Sequence, residues 1–289
     1  MKENKQIKAL LQLIDDPDED VYNTVSNKLV SFGKAIIPNL ENLWESMESP
    51  DTQERIELLI HHLHFSDLQK AFTEWIEKEG DLLTGALLVA QYQYPDMVQA
   101  ATLQEIEKLR RNTWLELNNY LTPLEKINVV NSIFYNYYKQ KGVEISYDNP
   151  EHFLINKSLE SKKGNAISNG IIYTILCQQL DLPVTAINIP RQFLLAYFDG
   201  NVNMINPSGH SSEKIKFYID ALSGQMYSHK DIENYFKRLS VPPVNAYFRP
   251  MTTKKMIQFL LDEMSKCFDN QSNAYKMNEL QLLSSLLDK

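Results

Sequence analysis

The sequence predicts a mainly helical α+β fold, and three observations predict it. Apolar residues recur at helical spacing from the N-terminus to about residue 138, and again from residue 229 onward. Between these blocks lie three short apolar runs, 184–189, 193–198 and 215–219, bounded by turn residues and read as strands. Only 9 glycines occur and no stretch is Gly/Ser- or Pro-rich, so packed elements are expected rather than long linkers. A chain of 289 residues exceeds the usual size of one core. The expected organisation is a helical block over 1–79, a mixed core with a helical lead over 80–245, and a helical tail over 246–289.

Taken in order, Ile7, Leu10, Leu11 and Ile14 follow the i, i+3, i+4, i+7 spacing of an amphipathic helix, which Pro17 stops. The acidic residues around Pro17 favour the start of the next helix, with Val21, Val25, Leu29 and Phe32 inward and Gly33 ending it. Ile36, Ile37, Leu40, Leu43, Trp44 and Met47 make a third helix. A second Pro-Asp turn at 49–55 then opens a helix on Ile56, Leu59, Ile60 and Leu63, with a partner helix on Leu68, Phe72, Trp75 and Ile76. The near-continuous apolar segment after Gly80 reads as a buried helix. The next helix turns Leu103, Ile106, Leu109 and Trp114 inward, with its charges opposite. Pro123 opens a helix reaching Tyr138, and Asn149-Pro150 forces a turn before a short helix from His152. A helix over 169–180, with Ser168 as its N-cap, ends at Leu182-Pro183. The runs 184–189 and 193–198 are apolar on both faces, so they belong to a covered sheet, antiparallel if the short loops are hairpins. Helices over 229–239, from Thr252 or Thr253, and over 273–287 close the chain.

Composition excludes several classes of function. The net charge of −8 is spread along the chain and no Lys/Arg-rich stripe occurs, which argues against nucleic-acid binding. The N-terminus is too polar for a signal peptide, and no run reaches the roughly 18 apolar residues of a membrane span. A cytoplasmic protein with no membrane association is expected. Cys177 and Cys267 stand far apart, without zinc-type spacing, and Cys177 lies in an apolar helical pattern as a buried, inert thiol. His61, His62 and His64 do not converge on one helix face with a carboxylate partner, so no metal and no cofactor is expected.

Two resemblances add to this reading. The two Pro-Asp turns about 34 residues apart, each opening a helix pair, resemble HEAT-type repeats, whose helix pairs must stack to cover their apolar faces. Residues 80–268 resemble the bacterial SirB-type branch of the transglutaminase-like superfamily. That branch carries an Arg-Lys-Gly-x-Pro-Ile-Ser turn, matched here by Lys162-Lys163-Gly164-Asn165-Ala166-Ile167-Ser168. Its Leu-Pro helix end is matched by Leu182-Pro183, and its Pro-Gly-His-Phe-Leu strand by Pro190-Arg191-Gln192-Phe193-Leu194. Its Ile-Asp-Pro-Phe-x-Gly strand end is matched by Ile219-Asp220-Ala221-Leu222-Ser223-Gly224. The resemblance implies a transglutaminase-like, papain-type domain with a small antiparallel sheet.

It also implies a site. The superfamily places a Cys nucleophile at a helix N-terminus, a His base on a neighbouring strand and an orienting Asp on the next. The equivalent positions here are Ser168, Gln192 and Asp220. An amide takes up no proton near neutral pH, so Gln192 cannot serve as the base, and Asp220 has no imidazole to orient. Each residue also has a plain structural reading: Ser168 as a helix cap, Gln192 as a strand-start polar residue, Asp220 as a turn opener. The expectation is a degenerate, non-catalytic protein that acts as an interaction or scaffold module with a protein partner. The alternative is a hydrolase or acyl transferase that uses Ser168 with a base from elsewhere, His210 or His229.

Overall fold

The structure is a computed structural model that describes residues 7, 9–14, 16, 18–200, 211–269 and 273–288. The chain divides into two compact units, residues 1–74 and 75–289. The residues read as a helical tail, 246–289, fall in the second unit together with the core.

In the first unit, α1 (Glu19–Val30) starts at Asp18, whose carboxylate accepts from the Asp20 N–H and sits favourably at the positive helix end. A 3-10 turn over Gly33–Ile36 leads into α2 (Ile37–Ser46), with Pro38 in its first turn. Ile7, Ile14, Val25, Leu29, Ile36, Leu40, Ile56, Leu59 and Leu63 form one buried cluster, as their spacing predicts. One expectation fails. The second helix pair is a single 28-residue helix, α3 (Pro50–Glu77). Residues 64–68, His-Phe-Ser-Asp-Leu, contain neither glycine nor proline to stop the first helix. Asp67 is held within the helix by Lys70 at 3.3 Å and across the unit by Lys34 at 3.6 Å. The two-pair reading of a HEAT-type repeat therefore loses its second pair.

The second unit begins with α4 (Leu82–Gln93), capped by Asp81 and buried on most sides as its apolar run predicts. Next come α5 (Gln99–Glu116) and α6 (Pro123–Asn131), the latter closed by a reciprocal capping box between Thr122 and Glu125. On α5, Ile106 and Leu109 are buried as expected, but Leu103 is 41% and Trp114 61% exposed. The inward stripe continues through Thr113, which is fully buried, and Trp114 lies one residue, some 100°, further round the helix. A π-helical turn over Ser132–Tyr137 extends α6, a feature with no periodicity signal in the sequence.

The core then assembles around α8 (Ala166–Gln179), preceded by a 3-10 turn at Pro150–Phe153 and by α7 (Ile155–Ser161). Two two-residue strands, β1 (Lys141–Gly142) and β2 (Lys163–Gly164), pair in parallel beside its N-terminus. The main sheet runs in the order β3 (Val184–Ile189), β4 (Gln192–Phe198), β5 (Ile215–Asp220), β6 (Met226–Tyr227), antiparallel throughout. The first three strands and their direction match the sequence reading; β6 is too short to have signalled itself. The excursion between β4 and β5 lies outside the described residues over 201–210.

Alternation along β4 decides what faces what. Leu194, Ala196 and Phe198 share a cluster with Ile187, Ile189, Ile215 and Tyr218, and with Ile232 and Phe236 of α9 (His229–Leu239). Phe193, one position before Leu194, points to the other face. There a Cβ added at Gly170 of α8 would stand 2.5 Å from its ring, so this glycine lets helix and strand close on one another. Phe193 also stacks on Phe259 of α10 (Thr253–Ser265) at 5.5 Å between ring centroids. Thr252 caps α10, and α11 (Ala274–Ser285) packs against it. No helix among the described residues is long and apolar enough to cross a membrane.

Candidate functional site

Ser168 is not the cap of α8. That helix starts at Ala166, and Asn165 is its N-cap, with a side-chain oxygen accepting from the N–H groups of Ile167 and Ser168 at 2.9 and 3.0 Å. Asparagine is a strong N-cap residue, so the sequence did carry this signal three positions earlier. Ser168 is instead a first-turn residue with no solvent exposure. Its hydroxyl donates to the His152 backbone carbonyl at 2.6 Å, which ties α8 to the 3-10 turn before α7.

Around Ser168 lies a buried polar network that sequence reasoning missed. Gln140, Ser158, Asn165 and Asn169 are each no more than 2% exposed. The Gln140 amide donates to the Ser158 hydroxyl at 2.8 Å and to the Asn169 carbonyl oxygen at 2.9 Å. The Asn169 amide in turn donates to the Gly164 and Lys141 backbone carbonyls at 3.2 and 3.3 Å. These bonds close the β1–β2 ladder onto the start of α8. Bonds of this kind gain about 1 kcal/mol when made and cost more when a buried partner is stranded, so the network locks the helix end in place. No single residue type announces it, because polar residues in this segment read as a connecting loop.

Gln192 stands at the first position of β4, paired opposite Ile189, and is exposed. It shares a pleat face with Leu194 and Ala196, the face that packs on α9, whereas α8 packs on the opposite face through Gly170. The turn before it is the two-residue Pro190-Arg191, with Arg191 at φ +64°. This is the left-handed second position of a type II turn, where glycine is favoured and where the matching family motif has its Pro-Gly.

Asp220 ends β5, as expected, and its carboxylate is used locally. It accepts from the Leu222 N–H at 2.9 Å and the Ser223 hydroxyl at 2.7 Å, opening the turn to Gly224. That turn is gripped from below. The Asn131 amide donates to the Gly224 carbonyl at 2.7 Å, and Tyr135 in the π-helical turn donates to the Ala221 carbonyl at 2.9 Å. The buried Tyr173 hydroxyl donates to the Asn131 side-chain oxygen at 2.8 Å. The π-turn thus serves to bring Tyr135 under the end of β5.

The structure therefore sets Ser168 apart from the other two positions: it is buried in the first turn of α8, whereas Gln192 and Asp220, which pairs opposite Leu194, share the other pleat face as diagonal neighbours, with the Asp220 carboxylate engaged in its own turn. The candidate bases do not replace them. One ring nitrogen of His229 lies 2.8 Å from the Ile215 carbonyl and the other 3.3 Å from the Tyr218 hydroxyl, against the α9 face of the sheet. His210 lies outside the described residues. Cys177 is fully buried, and burial pushes its thiol far above the ordinary range. Neither of two grooves among the described residues, of about 1020 and 670 Å³, is lined by Ser168, Gln192 or Asp220.

Compared by sequence with known proteins, the chain resembles several UPF0162 proteins. A UPF0162 protein of Buchnera aphidicola subsp. Baizongia pistaciae is 33% identical over 87 residues, 29% of this chain and 32% of its own. Another, from Buchnera aphidicola subsp. Acyrthosiphon pisum, is 23% identical over 166 residues, 57% of each chain. A UPF0162 protein of Xylella fastidiosa is 27% identical over 117 residues, 39% of this chain and 41% of its own. The chain thus spans between 32% and 57% of these curated relatives. No solved structure matches it. Residues 100–262, from α5 through most of α10 and more than half of the chain, match the transglutaminase-like superfamily, and the chain belongs to that superfamily.

Proposed function

We propose that this chain is a non-catalytic member of the SirB-type branch that works as a cytoplasmic protein-interaction module. The reading rests on Ser168. A nucleophile must present its oxygen to substrate and pass its proton to a base. This hydroxyl is enclosed and spends its proton on a backbone carbonyl 2.6 Å away. The same observation weighs against a hydrolase or acyl transferase built on Ser168.

The contact surface is sought on the stretch joining α5 to α6. Trp114 is 61% exposed, Leu115 66%, Tyr120 97% and Leu124 49%. Large exposed aromatic residues of this kind are the usual anchors of protein contacts. The helices of the first unit, with one HEAT-like pair, offer a second platform of the same type. The test is cross-linking in cells with quantitative mass spectrometry on three forms of the chain: unaltered, Ser168→Ala, and Trp114→Ala with Tyr120→Ala. A partner captured by the first two and lost from the third supports the proposal. Capture that is insensitive to the surface pair, or loss of function on Ser168→Ala with the fold intact, counts against it.

A further inference from the structure

We draw no further inference here: the strongest candidate, the groove of about 1020 Å³ between the end of α8, the start of β3 and the first turn of α10, carries nothing because the buried polar side chain on its wall, Thr185, is already bonded to the Met251 carbonyl at 3.3 Å, and nothing among the described residues shows what would fill it.

Discussion

Restoring the two lost family residues together, Ser168→Cys with Gln192→His, gives the sharpest test of the site geometry. If ancestry alone governed the site, the pair would regain acyl-transfer chemistry. The structure predicts otherwise. At 168, a longer C–S bond enters a space where a Cβ added to Gly164 would already stand 2.6 Å from the Ser168 oxygen. The 2.6 Å bond to the His152 carbonyl would be exchanged for a weak S–H donor. Crowding and the lost bond together cost about 1–3 kcal/mol. In a unit of about 200 residues this lowers the melting temperature by roughly 2–12 °C. At 192 the imidazole would stand on the exposed α9-side pleat face, opposite the face on which α8 packs, and stability would scarcely change. The assays are a thermal melt, thiol labelling under native conditions and turnover of small amide and thioester substrates. The expected readings are a lowered melting temperature, no added fast-labelling thiol and no turnover. A rapidly labelled thiol at position 168, or turnover that depends on both substitutions, would refute the reasoning, since either requires an open cleft with the groups on one side of the sheet.

Three further outcomes follow from the packing. Gly170→Ala gains helix propensity but drives a methyl to 2.5 Å from the Phe193 ring, which cannot swing away from its stack on Phe259; a net loss of about 1–3 kcal/mol is expected in urea unfolding. Arg191→Gly relieves a left-handed φ of +64° and should raise stability by about 0.5–1 kcal/mol, less whatever the unfolded chain gains in entropy, read by the same assay. The Tyr138 hydroxyl, then the Lys162 ammonium, hold the Glu105 carboxyl below its usual range against the opposing effect of burial. Its stabilising contribution is therefore present above the unfolded carboxylate range and fades as pH falls through the lower folded value. Glu105→Gln should cost about 0.5–1 kcal/mol at pH 7 for this partly exposed cluster, and the gap from the unaltered chain should close in acid, checked by denaturation at a series of pH values.

Much of this protein was legible in its sequence because the signals are local. Helical spacing at Ile7, Ile14, Val25 and Leu29 located the first core, and the apolar runs at 184–189 and 193–198 located the sheet. The ordered motifs from Lys162 to Gly224 pointed to the superfamily that residues 100–262 match. What the sequence could not settle were matters of direction and partnership. Whether 64–68 bends or runs straight depends on what α3 packs against, since that stretch contains no breaker. Trp114 and Thr113 exchange inside for outside by one step round α5, and apolarity alone favoured the wrong one. Three residues at the family's positions suggested a site, but the pleat of β4 sends Gln192 away from α8, and Ser168 is sealed by the His152 carbonyl beside a side-chain network of Gln140, Ser158 and Asn169. Such facts arise only when distant stretches meet, because the free energy of a buried polar group depends on its partners, and those are chosen by the tertiary fold.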